Sequence, residues 1–185
     1  SFEANPVVKL KYTKQRLKFE QLRFRDVSNL LSANLEVAEA YNEVGEKSES
    51  EPYYKICFEL LENTKDITER DGAAITLLKY CDLLKHDCRY EEALFYNLKL
   101  EKFIPKFSLR TLLEERAEYY YFLGQYENFI KTDNQLDNPR YLQVYRSNSY
   151  AHAIRNAQKN GDVKWALDLK KQQEDLHVPT VKLGP

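Results

Sequence analysis

Methionine is absent from this 185-residue chain, even at position 1, and glycine (five), proline (six), cysteine (three) and tryptophan (one) are all sparse. Each scarcity excludes something. Translation starts with Met, so a chain without one is expected to have been trimmed or excised from a longer protein. Few Gly and Pro leave little material for tight β-turns or disordered linkers and suit long helices with short connections. Three cysteines make no disulfide framework, which points to a reducing compartment. Apolar runs such as Tyr119 to Leu123 fall far short of the roughly 18 residues a membrane-crossing helix needs, and the opening Ser-Phe-Glu-Ala-Asn-Pro has no apolar signal core. Net charge is nearly absent as well. A value of −1 at pH 7 excludes a globally basic nucleic-acid binder, though not a local basic patch. The glycines never form a phosphate loop or dinucleotide fingerprint, and no Gly-x-Ser-x-Gly elbow occurs.

What is present is a repeat. A small residue recurs every 36 positions at Gly45, Cys81, Ala117 and Ala153. Cys57, Ala93, Phe129 and, after one extra residue, Ala166 run in step with it, as do Tyr54, Tyr90, Tyr126 and Val163. Locked series at one period predict stacked helix pairs, because each pair must present the same notch to its partner helix. Phased this way, the units run 38–73, 74–109, 110–145 and 146–182, ahead of a tail at 183–185. Breaks inside the units are expected at Ser50-Glu51-Pro52, Asp87-Cys88-Arg89, Gly124-Gln125 and Asn160-Gly161-Asp162. Pro105, Asn138-Pro139 and Pro179 punctuate between units. Ala93, Tyr96, Leu100 and Phe103 share one helical face, and no stretch alternates long enough for a sheet. The expectation is all-α. Hydrophobic content of 43% and charged content of 31% support one continuous core.

Tyr41-Asn42-Glu43-Val44-Gly45, Arg89-Tyr90-Glu91-Glu92-Ala93 with Pro105 twelve beyond, and Leu123-Gly124-Gln125-Tyr126 resemble the tetratricopeptide repeat (TPR) over roughly residues 38–178. Phe129 fills a slot that is normally small, and the fourth unit lacks the aromatic. The period is also similar to that of related helical-repeat families, including the peptide-sensing domains of bacterial quorum regulators. The resemblance implies a right-handed α-solenoid of about four TPR-like antiparallel helix pairs, a non-catalytic scaffold or adaptor that binds a partner protein or peptide in a concave groove. The groove slots then fall on Asn42, Glu46 and Glu49, on Leu78, Asp82 and Lys85, and on Glu114, Glu118, Tyr121 and Phe122. The partner-binding set drawn from them is Asn42, Glu46, Leu78, Asp82, Glu114, Glu118, Tyr121 and Phe122. Its acidic character favours a basic ligand segment. The carboxylate clamp of chaperone-tail adaptors is absent, since its slots hold Asn42 and Glu46, and Thr111 and Glu115.

Residues 1–37 are expected to form a basic helical segment that packs on or caps the stack. Between Lys9 and Arg25 seven positive residues face one negative, with Leu10, Leu17, Phe19, Leu22 and Phe24 interleaved. As a cap, this segment would bury Leu17, Phe19 and Leu22 and could turn its charge toward the Glu-rich stretch at 36–51. The alternatives are contact with nucleic-acid phosphates or an anionic membrane surface. Tyr119-Tyr120-Tyr121-Phe122 spans more than one helical face, so at least one ring must leave the core. Cys81, His86 and Cys88 lack a convincing fourth metal ligand, and His152 has no identifiable acid or nucleophile partner. No cofactor, no metal and no catalysis are expected. The leading reading is an intracellular, cytoplasmic interaction module, with a nuclear location as the alternative. The competing readings are a ligand- or peptide-sensing domain excised from a larger regulator and nucleic-acid contact through the basic helix.

Overall fold

Short, sharply defined helix ends organise this chain. The computed structural model describes residues 5–23, 26–136 and 143–184, and all regular structure among them is helical. The α-helices are α1 (Pro6–Arg23), α2 (Val27–Glu43), α3 (Lys47–Leu61), α4 (Ile67–His86), α5 (Tyr90–Leu100), α6 (Leu109–Phe122), α7 (Tyr126–Asp133), α8 (Gln143–Lys159) and α9 (Val163–Asp175), with a 3-10 turn at Lys106–Ser108 before α6. The expected break at Asn138-Pro139 lies outside the described residues. Two compact units gather these elements, Ser1–Leu83 with Leu100–Pro105, and Leu84–Lys99 with Lys106–Pro185.

One device ends α2, α4, α6, α8 and α9. A residue with positive φ follows each helix: Gly45 (82°), Cys88 (56°), Gly124 (70°), Gly161 (75°) and His177 (51°). Its N–H and that of the next residue bond back into the last turn. Gly45 N donates to Asn42 O at 3.0 Å and Glu46 N to Tyr41 O at 3.0 Å, and the same pair of bonds recurs at the other four ends. This is the Schellman arrangement, which satisfies carbonyls that a helix end would otherwise orphan. The starts of α2, α4 and α9 are capped by carboxylates. Asp26 accepts from Ser28 N, Asp66 from Glu69 N and Asp162 from Trp165 N, each at 3.0 Å.

These turns revise the phasing of the first unit. Gly45, Cys88, Gly124 and Gly161 lie 43, 36 and 37 residues apart. Gly45 is therefore an exposed turn residue, not the small notch of a first helix. Counting back from the turns, Ala38 is the counterpart of Cys81 and Ala117, and of Ala153 one residue further back in α8. All four are fully buried. Counting forward, Ser50 answers to Ala93, Phe129 and Ala166, and Lys47 opens α3 where Tyr90, Tyr126 and Val163 open α5, α7 and α9. Tyr54 lies inside α3, not at its start, and the expected break at Ser50-Glu51-Pro52 is helical. Seven extra residues are almost two whole turns, displaced by only about 20°. The slip keeps apolar residues on the same face, which is why the wrong register looks regular.

Of the turns at Gly45, Cys88, Gly124 and Gly161, the one at Cys88 carries a side chain. Left-handed backbone costs an L-residue roughly 1–2 kcal/mol, offset in part by the greater freedom glycine loses on folding. Cys88→Gly is expected to stabilise the chain by about 0.5–1 kcal/mol, read as a rise of a few degrees in a circular-dichroism melt.

In the first unit Leu17, Ala33, Val37 and Tyr41 form a buried cluster, with Leu10, Leu30, Val44 and Tyr53 packed against it. Helix α1 thus lies on α2 through Leu10, Thr13 and Leu17, which share a face at i, i+3 and i+7. Lys9 pairs with Glu43 and Arg16 with Glu36, while Lys14 sits 4.4 Å over the Tyr41 ring. Phe19 and Leu22, expected inside, are 52% and 79% exposed. They project from the opposite side of α1, where Val8 and Tyr12 are exposed as well. Tyr54 stacks on Tyr80 at 4.6 Å deeper in the unit. In the second unit Ala117, Phe129, Ile130, Tyr150, Ala153, Ile154, Leu169 and Val178 form the core.

Candidate partner-binding faces

In the first unit, Asn42 lies half-buried in the last turn of α2, and its Nδ2 donates to the Tyr54 hydroxyl at 2.7 Å. That phenol stays neutral, because burial first and the charge of Glu39 second push its pKa up. Asn42 is therefore committed to the fold. Glu46 is exposed in the turn before α3 and makes no side-chain cap. Asp82 is half-buried on α4. Leu78 is only 6% exposed and belongs to the interior, which removes it as an apolar groove contact. The reason is that α4 buries more than one stripe: Ala73, Ala74, Leu77, Leu78, Tyr80, Cys81 and Leu84 are all inside.

In the second unit the expected acids are not open charges. Glu114 accepts from Arg110 Nε at 2.8 Å and its side chain is 12% exposed. Glu118 accepts from Lys85 Nζ at 3.1 Å, with side-chain exposures of 19% and 23%. The aromatic run divides as successive 100° steps require. Tyr119 is buried, with its hydroxyl donating to Glu115 Oε2 at 3.1 Å. Tyr120 and Tyr121 are half-buried against the core, and Phe122 is 45% exposed.

Around Phe122 the rings form a ladder. Phe122 stacks on Tyr90 at 4.8 Å and meets Tyr145 edge-on at 5.9 Å, while Tyr145 stacks on Tyr121 at 4.3 Å. Asn148 Nδ2 donates to the Tyr121 hydroxyl at 3.1 Å and fixes that ring. Tyr90 is legible in the sequence as a member of the periodic series. Tyr145 carries no such signal. Arg116, also on α6, is 6% exposed, and its Nε donates to Asn97 Oδ1 at 2.9 Å. Asn97 Nδ2 in turn donates to Leu112 O at 3.0 Å, a polar link between α5 and α6 that no sequence pattern announces.

Cys81 is fully buried as a core residue, and Cys88 occupies an exposed turn. Among the described residues no group of three or more His, Cys, Asp or Glu could hold a metal ion. His152 stacks on Tyr126 at 4.4 Å, and burial followed by the charge of Arg155 lowers its pKa, so the ring is neutral at pH 7. Among the described residues no helix is long and apolar enough to cross a membrane.

No protein-family model matches the chain, and no curated protein does. Among solved structures, it is similar to a Podosopora anserina chain described as a putative kinesin light chain with nearly identical TPR-like repeats. The two are 18% identical with a TM-score of 0.52, over 91% of this chain and 85% of that one. A single-substitution variant of the same protein matches with 17% identity and a TM-score of 0.54, over 90% and 84% of the two chains. The fold is a TPR-like helical repeat.

Proposed function

We propose that this chain is a non-catalytic protein-interaction module that captures a segment of a partner protein. The observation that carries the proposal is the half-exposed ladder Tyr90–Phe122–Tyr145–Tyr121, with the Lys85–Glu118 ion pair in the same unit. Rigid aromatic rings whose neighbours already hold them lose little entropy on binding and serve as anchors. Phe122 is the anchor, and Tyr121, Glu118 and Glu114 supply the contacts around it. In the first unit Glu46 and Asp82 are the corresponding polar contacts, while Asn42 stays bonded to Tyr54. A basic partner residue at Glu118 or Glu114 has to displace Lys85 or Arg110, so its charge adds less than the apolar contact. Salt consequently weakens association only modestly, because the exchanged pairs are screened alike.

The test is to select binders from a random-peptide display library on the full chain and measure them against variants. Selected peptides are expected to carry an aromatic or aliphatic anchor beside Lys or Arg. Phe122→Ala is expected to weaken them about tenfold or more, with helical content retained and the melt lowered by the roughly 0.5–1.5 kcal/mol of its stack on Tyr90. Peptides that bind Phe122→Ala and Tyr121→Ala as tightly as the native chain would move the interface off this face.

A further inference from the structure

Helix α1 carries two apolar seams. Leu10, Thr13 and Leu17 lie on α2, while the opposite side presents Val8 (45% exposed), Tyr12 (65%), Phe19 (52%) and Leu22 (79%). Single apolar side chains on a surface are ordinary, but these four share one register. With the exposed Gln15 between them, they follow one another at steps of four, three, four and three residues. Steps that average 3.5 residues are the repeat of a helix packed along another helix. Val8, Gln15 and Leu22 take one of its two core rows, and Tyr12 and Phe19 take the other. The stripe runs about 21 Å along α1.

Positive charge borders the stripe on both edges. Lys9 and Arg16 flank it on one side, and Lys11 and Lys18 on the other. The first edge is answered within the unit, because Lys9 pairs with Glu43 and Arg16 with Glu36, both on α2. Lys11 and Lys18 are exposed and have no acidic partner among the described residues. Glu20, the single acid of α1, is half-buried and lies off the stripe.

Spacing and charge together select the occupant. A second copy of α1 would set basic edge against basic edge, whether parallel or antiparallel. A bilayer surface favours a wide apolar face, whereas this stripe is narrow, is interrupted by Gln15 and belongs to a helix held on α2 by its other side. A partner helix with apolar side chains in the two rows and carboxylates beside them matches both the 3.5-residue repeat and the open lysines.

We infer that the outer side of α1 docks an acidic amphipathic helix of a partner protein. Val8, Tyr12, Phe19 and Leu22 pack between the apolar side chains of that helix, and Lys11 and Lys18 face its carboxylates. Glu36 and Glu43 already neutralise the other edge, so the partner's acids line the Lys11–Lys18 edge alone. That asymmetry fixes how the partner helix is rotated about its own axis. This surface belongs to the first unit and does not depend on the Phe122 ladder of the second.

The probe is a fluorescein-labelled helical peptide, three copies of Glu-Ile-Ala-Ala-Leu-Glu-Lys, titrated into the full chain by fluorescence polarisation. A control peptide carries Lys in place of every Glu. The acidic peptide is expected to bind saturably and the control not to bind. Tyr12→Ser, and Lys11→Glu with Lys18→Glu, are each expected to weaken the acidic peptide about tenfold or more. The helical melt should be retained in both variants, because these side chains are exposed. The charge-reversed variant is expected to accept the basic control instead. Phe122→Ala is expected to change nothing, which separates this site from the one proposed above. Absence of saturable binding overturns the inference, as do equal binding of the two peptides and binding indifferent to Tyr12→Ser. Flotation of the chain with vesicles of equal parts phosphatidylserine and phosphatidylcholine, lost in Tyr12→Ser, would instead assign the face to a membrane surface. A sedimenting dimer that Tyr12→Ser dissolves would assign it to a second copy, and either result overturns the inference.

Discussion

Ala93→Arg is expected to abolish the cooperative melt of the second unit at room temperature, or to lower its stability by more than about 4 kcal/mol. Ala93 is fully buried in the first turn of α5, and its N–H donates to Arg89 O at 3.0 Å. A guanidinium side chain there costs roughly 1–3 kcal/mol in overpacking. Burial of an unpaired charge adds to that penalty. Ala93→Gly, which adds no volume, is the control and should cost only about 1 kcal/mol from helix propensity. Circular dichroism at 222 nm with increasing urea reads both. A native-like midpoint for Ala93→Arg would mean that the position is not a helix-packing notch.

Asp133→Ala is expected to cost about 3 kcal/mol, the scale for breaking a buried ion pair by removing one partner. Asp133 ends α7 fully buried, and its Oδ2 accepts from Arg146 Nε, while the Arg146 side chain is 18% exposed. Removing the carboxylate strands that guanidinium. Asp133→Leu combined with Arg146→Met should recover most of the loss, because the paired desolvation penalty disappears together with the attraction.

The pH dependence of this pair follows from the same burial. Burial raises the pKa of Asp133 against the lowering effect of Arg146, so the folded state binds this proton more tightly than the unfolded chain does. Proton uptake at Asp133 therefore adds stability as pH falls toward and through the ordinary carboxylate range. That sign is opposite to the one for a carboxylate whose pKa is depressed by its partner. Melts of the native chain and of Asp133→Asn, compared from pH 7 down to pH 4, should show their difference moving steadily in favour of the native chain. A difference that stays constant, or moves the other way, would contradict this.

Helix content, helix-pair arrangement and most turn positions were readable from residue order alone. Cys81, Ala117 and Ala153 are fully buried seven or eight residues before their turns, and Asp87-Cys88-Arg89, Gly124-Gln125 and Asn160-Gly161-Asp162 break the chain between consecutive helices. Both are local requirements. A helix ends where a residue tolerates positive φ, and a helix crossing needs a small side chain. The first unit was misplaced for an equally local reason: a seven-residue offset preserves the helical face, so periodicity alone cannot tell Gly45 from Ala38.

The surface was another matter. Charge in a sequence does not say whether Glu118 faces solvent or Lys85, 33 residues away, nor that Glu114 takes Arg110. Amphipathic order does not say which side of α1 meets α2, so Phe19 and Leu22 were placed inside when Leu10, Thr13 and Leu17 have that face. Leu78 looked like a groove residue until α4 proved to be buried on more than one stripe. The Arg116–Asn97 link joins residues 19 positions apart, and the bond from Arg155 to Gly184 spans 29. Neither leaves a trace in the local pattern, and the same holds for the place of Tyr145 in the ladder. Residue order by itself determined the period, because helix ends and notches are set by neighbours along the chain. Only tertiary packing decided which side chains remain available to a partner, because availability depends on what the other helices have already claimed.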